Sequence, residues 1–139
     1  MTIPVTAEES VPLTLGGQVL TRVSVGLARL LVLLPPRRLR QTLRLISTGA
    51  RPATEEQARF ARQAAVTVSH RCAGLGCLQR SVAAAIQCRL RGTWPDWCTG
   101  FRERPFGAHA WVEVNGSPVG EPSDMSRFHT VMAVRGCRP

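Results

Sequence analysis

Residues 71–81 read RCAGLGCLQRS, and this stretch decides how the chain is organised. Two glycines precede Cys77 within three residues, so a turn is predicted there. The residues that follow, CLQRSVAAAIQCRLRG (77–92), have apolar side chains at helical spacing and end at a glycine. The pattern therefore predicts a turn that passes directly into a helix, with Cys77 in the first turn of that helix.

A thiol at the start of a helix has a chemical advantage. The first backbone N–H groups of a helix and the positive end of its dipole both favour thiolate over thiol. Arg71 and Arg80 would add positive potential. The alternative is that Cys77 is a small buried apolar residue, the usual fate of a free cysteine. The remaining cysteines are predicted to be structural or to have no catalytic context: Cys72, Cys88, Cys98 and Cys137.

Before this stretch the sequence pattern is helical, and after it the pattern is that of strands. Residues 1–17 are expected to be irregular or extended. Helices are predicted over 18–34, 37–48, 54–70 and 77–92. Thr54 is predicted to be the N-cap of the third, with Glu55 and Glu56 in its first turn. A turn that leads into a strand is predicted over 93–101, and strands are predicted over 108–114, 117–122 and 127–134, with RERPFG (102–107) as a loop. Helices followed by an antiparallel sheet predict an α+β fold in which the nucleophile-bearing helix rests on a small sheet.

The clearest strand contains a histidine. In AHAWVEV (108–114), strict alternation places His109 on the face opposite the aliphatic residues, together with Trp111 and Glu113. An ordinary surface histidine is the alternative. A cysteine at a helix start and a histidine on a following strand are typical of a thiol hydrolase or acyltransferase, in which imidazole takes and returns a proton.

A third residue should orient the histidine, and the hairpin predicts which one. Asn115-Gly116 predicts a tight turn, so the chain that follows returns beside His109. Glu121 is the first candidate on this return path, and Asp124 is the second. Glu113 is expected to be too distant, about 13 Å along the strand.

Composition limits the function classes. The chain has 139 residues with 44% hydrophobic content, enough for one folded domain. All 18 basic residues are Arg, against 9 acids, so the surface would attract nucleic acid, anionic lipid or acidic peptides. The aromatic residues do not alternate with Arg and no nucleic-acid motif occurs, so no nucleic-acid partner is predicted. No Cys/His zinc spacing occurs either, so no metal and no cofactor is predicted.

Cysteine usage and hydropathy bear on the compartment. Five cysteines and an N-terminus without a basic, apolar signal segment indicate a reducing, cytoplasmic location. Residues 23–34 are apolar but contain Arg29 and are about half the ~20 residues that a membrane-spanning helix needs. A buried or interfacial amphipathic helix is predicted instead, and association with a membrane surface stays open without being required.

Two segments carry a family resemblance. GCLQRSVAAA and RLRGTWPDWCTGFRERPFGAHAWVEVNGSPVGEP resemble the lasso-peptide biosynthesis B proteins, leader peptidases with a transglutaminase-like, papain-like cysteine-protease core. The resemblance covers about residues 66–134, so we divide the chain into a helical region, 1–65, and a protease core, 66–139. It implies Cys77 as nucleophile and His109 as general acid and base. It implies Glu121 as the third residue, where the family usually has Asp.

The resemblance also implies a reaction and partners. The enzyme would cut a ribosomally made precursor between leader and core, and a separate asparagine-synthetase-like cyclase would then close the ring. A fused leader-recognition domain is not expected in this chain, so a separate recognition protein is predicted. Backbone N–H groups near Cys77 would bind the oxyanion, with Gln79 as a candidate second donor. Another transglutaminase-like acyltransferase or amidase, with the same three residues, is the alternative function.

Overall fold

The computed structural model describes residues 11–69 and 76–136, except for the side chains of Ser123 and Asp124. In these ranges the helices are α1 Leu15–Leu31, α2 Pro36–Ser47, α3 Glu55–Val68 and α4 Cys77–Leu90. The strands are β1 Arg51–Pro52, β2 Thr93–Trp94, β3 Asp96–Glu103, β4 Phe106–Val114, β5 Ser117–Pro118 and β6 His129–Val134. A short 3-10 helix, Ser123–Arg127, precedes β6. The predicted α+β class, with helices first and a small antiparallel sheet after them, is confirmed.

The main sheet has the strand order β5-β4-β3-β6, and all its pairs are antiparallel. β5 is short, so it pairs only with the end of β4, where Glu113 is opposite Pro118 and Val114 is opposite Ser117. No described strand therefore pairs with the outer side of the first part of β4. This uncovered edge is where the N-terminus of α4 approaches the sheet.

Helix α4 is the centre of the hydrophobic core. Its residues from Arg80 to Cys88 are all buried, because the sheet covers one side and helices α1 and α3 cover the others. Three consecutive alanines, 83–85, have no exposed surface and allow these neighbours to approach closely. On the sheet side, Trp97 is fully buried and its indole N–H donates to the Ser81 hydroxyl at 3.0 Å. This bond holds the first turns of α4 against β3.

Caps define where two of the helices begin. The Thr54 hydroxyl accepts from the Gln57 backbone N–H, and the Gln57 side chain accepts from the Thr54 backbone N–H. This reciprocal capping box confirms the predicted N-cap. Helix α1 begins at Leu15, three residues earlier than predicted, because the Thr14 hydroxyl accepts from the Gly17 backbone N–H at 3.1 Å.

The predicted loop over 102–107 is wrong. Strands β3 and β4 continue almost to the end of this segment, and only Arg104 and Pro105 remain in the turn. Cross-strand pairing extends the hairpin, with Arg102 opposite Gly107 and Glu103 opposite Phe106. The Arg102 side chain closes the turn by donating to the Pro105 carbonyl at 3.0 Å. A charged, proline-containing segment has little strand signal of its own, so the ladder decided its structure.

Three smaller differences concern the ends of the sheet. The return strand predicted over 117–122 is limited to Ser117–Pro118, and the last strand begins at His129 instead of residue 127. A two-residue parallel pair, β1 with β2, was not predicted. The division of the chain at residue 65 stays a prediction; residues from both parts contribute to one hydrophobic cluster. In the described residues, no helix combines the length and apolarity needed to cross a bilayer.

Candidate active site

Cys77 is the first residue of α4, as predicted. Gly76 precedes it as the N-cap and contributes no side-chain cap, and the first turn has no acidic residue. The first-turn N–H groups have no acceptor within the helix, and the positive end of the helix dipole lies at the thiol. The thiol is half-buried. These features leave Cys77 accessible in a local environment that favours negative charge.

The outer edge of β4 approaches this thiol. Ala110 provides a backbone hydrogen bond to Cys77, and the His109 ring provides a side-chain hydrogen bond. Backbone groups of alternate residues point to the same side of a strand, and Val112, two residues on, accepts from Val119 on the outer side. The Ala110 N–H therefore points outward from the sheet, toward the helix that carries Cys77.

Aromatic side chains hold His109 in place. Its ring stacks on Trp111 with centroids 6.0 Å apart and lies 5.6 Å from the Phe128 ring. On the neighbouring strand, Gly100 is opposite His109. A Cβ at Gly100 would lie 2.2 Å from the His129 carbonyl oxygen and 2.9 Å from the Trp111 ring. Glycine is required at this position because the backbone of β6 and an aromatic ring occupy the space.

Glu121 forms the third contact of the group. Its Oε2 lies 2.8 Å from His109 Nε2, and its side chain is only 3% exposed. The turn at Asn115-Gly116, the short β5 and the bond from Val119 N–H to the Val112 carbonyl return the chain to this point. Since Nε2 faces Glu121, Nδ1 is the ring nitrogen available to the Cys77 thiol. The structure thus brings the three predicted residues together in one hydrogen-bonded chain.

Two other acids near this strand, Glu113 and Asp124, were considered for the role of Glu121. Glu113 accepts from the Trp111 indole N–H at 2.9 Å and lies 3.4 Å from the Arg135 guanidinium. Its carboxylate is therefore engaged away from His109. Asp124, the second candidate for orienting the histidine, has its side chain outside the described residues.

The ionisation of Cys77 and His109 is coupled. Burial by itself raises the pKa of the Cys77 thiol, but the hydrogen bonds from His109 and Ala110 and the charges of His109 and Arg80 lower this pKa below its ordinary 9.0. Burial by itself lowers the pKa of His109, but hydrogen bonds to Cys77 and Glu121 and the charges of both raise it from 6.5 to about 9. The opposite directions favour a thiolate–imidazolium pair at neutral pH.

The remaining described cysteines lack these features. Cys88 is buried in the middle of α4, and burial raises its pKa to about 11. Cys98 is fully buried in β3, and burial raises its pKa to about 12. Cys88 is thus buried within a helix and Cys98 lies within a strand, the positions that the sequence pattern predicts. Cys72, Cys137 and Arg71 lie outside the described residues.

Sequence reasoning missed Arg62. This residue of α3 is 5% exposed, and its Nε lies 3.7 Å from Glu121 Oε1, on the oxygen that does not face His109. A buried guanidinium group therefore lies beside the carboxylate of Glu121. The signal in the sequence was an arginine within a stripe of small residues at helical spacing. These residues are Ala58, Ala61 and Ala65, all buried.

Gly120 was also missed, and it makes the Arg62 contact feasible. Its φ of +69° lies in the left-handed region, and a Cβ there would be 2.9 Å from Arg62 Cδ and 3.1 Å from Arg62 Nε. Glycine therefore allows both the turn that leads to Glu121 and the close passage of the arginine side chain. A glycine directly before a candidate acid is the signal that could have identified it.

No group of three or more His, Cys, Asp or Glu side chains in the described part of the chain is arranged to hold a metal ion. A cavity of about 380 Å³ lies between α3 and the C-terminal half of α4 and is lined by residues that include Phe60, Cys88 and Arg91. Cys88 is eleven residues from Cys77 along α4, a rise of about 16 Å. This cavity is therefore separate from the Cys77 group.

Comparison with known proteins identifies a family for this arrangement. Residues 21–133 match the family model described as transglutaminase-like superfamily. The match extends from α1 to β6 and includes all three residues of the hydrogen-bonded chain. No curated protein matches the chain, and no solved structure does.

Proposed function

The chain belongs to the transglutaminase-like superfamily, and from this membership, the geometry of the site and the sequence resemblance we propose that it is a cysteine peptidase that removes the leader from a ribosomally made lasso-peptide precursor. The superfamily generally comprises enzymes of the cysteine-peptidase and thiol-acyltransferase type. The observation that carries the proposal is the hydrogen-bonded chain from Cys77 through His109 to Glu121.

The geometry supports a two-step acyl transfer. The Cys77 thiolate attacks the scissile carbonyl carbon, and the tetrahedral intermediate collapses as the C–N bond breaks. The imidazolium of His109 gives its proton to the departing amine, which leaves as the N-terminus of the core peptide. His109, now neutral, takes a proton from water, whose oxygen attacks the thioester. The leader is released as a carboxylate and the Cys77 thiolate is regenerated.

Glu121 acts on this cycle through His109. Its carboxylate accepts from Nε2, fixes the ring so that Nδ1 faces the thiol, and stabilises the imidazolium. Arg62 is a positioning residue in this proposal, because its contact is with the second oxygen of Glu121 and not with the reacting atoms. Glu in place of the family's usual Asp makes the side chain one methylene longer. The 2.8 Å distance between Glu121 Oε2 and His109 Nε2 is compatible with that length.

The oxyanion site would lie at the N-terminus of α4. The backbone N–H of Cys77 is placed there by the start of the helix, and N–H groups at this position suit a developing negative charge. Gln79, in the same helical turn, stays the candidate for a second donor. Gln79 is half-buried.

The choice of substrate is supported by sequence. The segments GCLQRS (76–81) and PFGAHAWVEV (105–114) are the parts that resemble the lasso B proteins. The structure gives two of these residues physical roles: Ser81 accepts from Trp97, and the charge of Arg80 helps to lower the Cys77 pKa. We expect the partners to be the precursor, a separate leader-recognition protein and an asparagine-synthetase-like cyclase, with the reaction in the cytoplasm.

The test uses the full chain, its cognate precursor and its recognition protein, with products identified by mass spectrometry. We expect free leader and free core from the native protein and neither from the Cys77→Ala variant. Cys88→Ala is the matched control, because it removes a buried thiol from the same helix without touching the site. Cleavage retained by Cys77→Ala would refute the proposed nucleophile.

The alternative is acyl transfer to an amine or amidase chemistry on another substrate, which the superfamily membership and the same three residues also support. The same experiment separates the two. A product in which the leader acyl group is joined to an added amine would favour transfer. Free leader carboxylate in the presence of that amine would favour the peptidase.

A further inference from the structure

Helix α1 packs against the core with its small and polar residues. The buried residues of α1 are Thr21, Ser24 and Ala28, each with no exposed surface. The Thr21 hydroxyl donates to the Gly17 carbonyl at 2.8 Å, and the Ser24 hydroxyl donates to the Leu20 carbonyl at 2.9 Å. Because both hydroxyls are satisfied within the helix, this face can pack closely on α4 and α3 without an unmet polar group.

The opposite side of α1 is apolar and exposed. We call it the outer face of α1, and it consists of Leu15, Val19, Val23, Leu27 and Leu30, extended by Leu33 just after the helix. Their exposed fractions range from 43% for Leu27 to 80% for Leu15. A contiguous apolar stripe of this kind on the surface of a protein marks an interaction site. Its length from residue 15 to residue 33 is about 27 Å at the helical rise.

The charge beside this face is of one sign. From residue 15 to residue 47 the sequence contains no Asp or Glu and six Arg. Arg22 and Arg29 are exposed on α1 itself and, seven residues apart, lie on one flank of the helix. The other four, on α2, are also exposed: Arg37, Arg38, Arg40 and Arg44. A ligand for this surface must therefore accept apolar side chains and carry negative charge next to them.

We propose that the outer face of α1 docks on an anionic lipid surface, with the helix lying parallel to the membrane plane. The leucine and valine side chains would enter the boundary between headgroups and acyl chains, and the arginine side chains would extend to the anionic headgroups. This docking goes beyond the proposed peptidase reaction and does not depend on it.

Charge and composition favour a lipid surface over a second copy of the chain and over another protein as the occupant of this face. A second copy of this chain would place like-charged arginines against one another. A specific protein interface carries aromatic anchors and a mixed polar rim, whereas this face has only Leu and Val, and the charged groups on its one basic flank are all guanidinium groups. An apolar phase bordered by negative charge requires neither directional polar contacts nor aromatic anchors.

The experiment measures co-sedimentation of the full chain with vesicles of phosphatidylcholine alone and of phosphatidylcholine mixed with phosphatidylglycerol. We expect binding to the mixed vesicles that weakens with added salt, and little binding to the neutral ones. Val19→Gln with Leu30→Gln should reduce binding at least tenfold, on the order expected for lost apolar burial. Leu45→Gln is the control, because Leu45 is 77% exposed on α2, off this face.

A second pair of variants tests the charge. Arg22→Gln with Arg29→Gln should weaken binding to the mixed vesicles roughly 30-fold. Arg51→Gln with Arg104→Gln changes the net charge equally at exposed sites on β1 and in the β3–β4 turn, and should have a smaller effect. Circular dichroism and the alkylation rate of Cys77 should be unchanged in all variants, which shows that they are folded.

Three outcomes would overturn the proposal. The first is no binding to either vesicle. The second is binding that the α1 variants and their controls reduce equally, because net charge alone would then explain it. The third is self-association in solution, measured by light scattering, that the Val19 and Leu30 changes abolish while vesicle binding is absent. This last result would assign the outer face of α1 to a second copy of the chain.

Discussion

Replacing Glu121 with Gln tests whether this carboxylate maintains the thiolate–imidazolium pair. Gln has nearly the same shape and can still accept from His109 Nε2, but it carries no charge. In the native protein the contact is 2.8 Å long, the acid is 3% exposed, and the pKa of His109 is raised to about 9. The variant therefore removes the charge while keeping the packing.

The magnitude follows from the strength of such a bond. A hydrogen bond to a charged group contributes about 1.5–3 kcal/mol, and each 1.36 kcal/mol corresponds to one pKa unit. Glu121→Gln should thus lower the pKa of His109 by about 1 to 2. The ratio of the ionised Cys77–His109 pair to the neutral pair should fall by about 10- to 100-fold, because that ratio depends on the difference between the two pKa values.

The assay is the rate of iodoacetamide alkylation at Cys77 as a function of pH, followed by peptide mapping. Native Cys77 should react well below its ordinary pKa, since its pKa is lowered. In the Glu121→Gln variant the rate near neutral pH should fall and the profile should move toward that of an ordinary thiol. The second readout is the pKa of His109, measured by NMR from the pH dependence of its ring proton resonance.

Glu113→Gln is the matched control. Glu113 is also a buried acid and lies on the same strand as His109, but it contacts Trp111 and Arg135. Its loss should leave the alkylation profile of Cys77 unchanged even if the melting temperature falls. The assigned role of Glu121 is refuted if Cys77 of the Glu121→Gln variant is alkylated with the native pH profile. It is also refuted if both variants change the pH profile equally.

Three further predictions concern the same group. Gly120→Ala should destabilise the fold by about 1–3 kcal/mol more than Gly116→Ala in urea unfolding. Both glycines have a positive φ, but only a Cβ at Gly120 would have Arg62 atoms within 4 Å. Equal losses of stability would contradict this clash. Arg62→Gln should lower both stability, by about 3–5 kcal/mol, and the imidazolium fraction of His109, with partial recovery in Arg62→Lys; a stability loss without a change in the His109 titration would leave Arg62 as a packing residue only. Peptide cleavage should fall as pH rises through about 9, where His109 loses the proton that the leaving amine needs, and on the acid side as the Cys77 thiolate is protonated; a rate that stays constant through pH 9 would exclude His109 as the acid.

Much of the candidate site could be predicted because its signals are local. The glycines before Cys77 and the apolar stripe after it define a helix start within one turn. Strict alternation in β4 assigns a face to His109, and Asn115-Gly116 defines a tight turn, so the return of Glu121 follows from short-range geometry. Each of these inferences concerns residues close in sequence, where backbone preferences and periodicity dominate.

Other features were not predictable because they depend on pairing and packing between distant segments. The extension of β3 and β4 through 102–107 required a cross-strand ladder that overrode a weak local preference. The contact of Arg62 with Glu121 joins residues 59 positions apart and required α3 to pack beside the returning hairpin. The enclosure of His109 by Phe128 required the 3-10 helix that precedes β6.

The sequence by itself determined which residues could do chemistry: a thiol at a helix start, a histidine on the alternate face of a strand and an acid after a tight turn. The tertiary structure alone decided that these groups form one hydrogen-bonded chain, that a buried arginine lies beside the acid, and that α1 turns Thr21, Ser24 and Ala28 inward and Leu15, Leu27 and Leu30 outward. The physical reason is that periodicity shows which side chains share a face. Only close packing against α4, which the small residues of α1 permit, determines which face becomes buried.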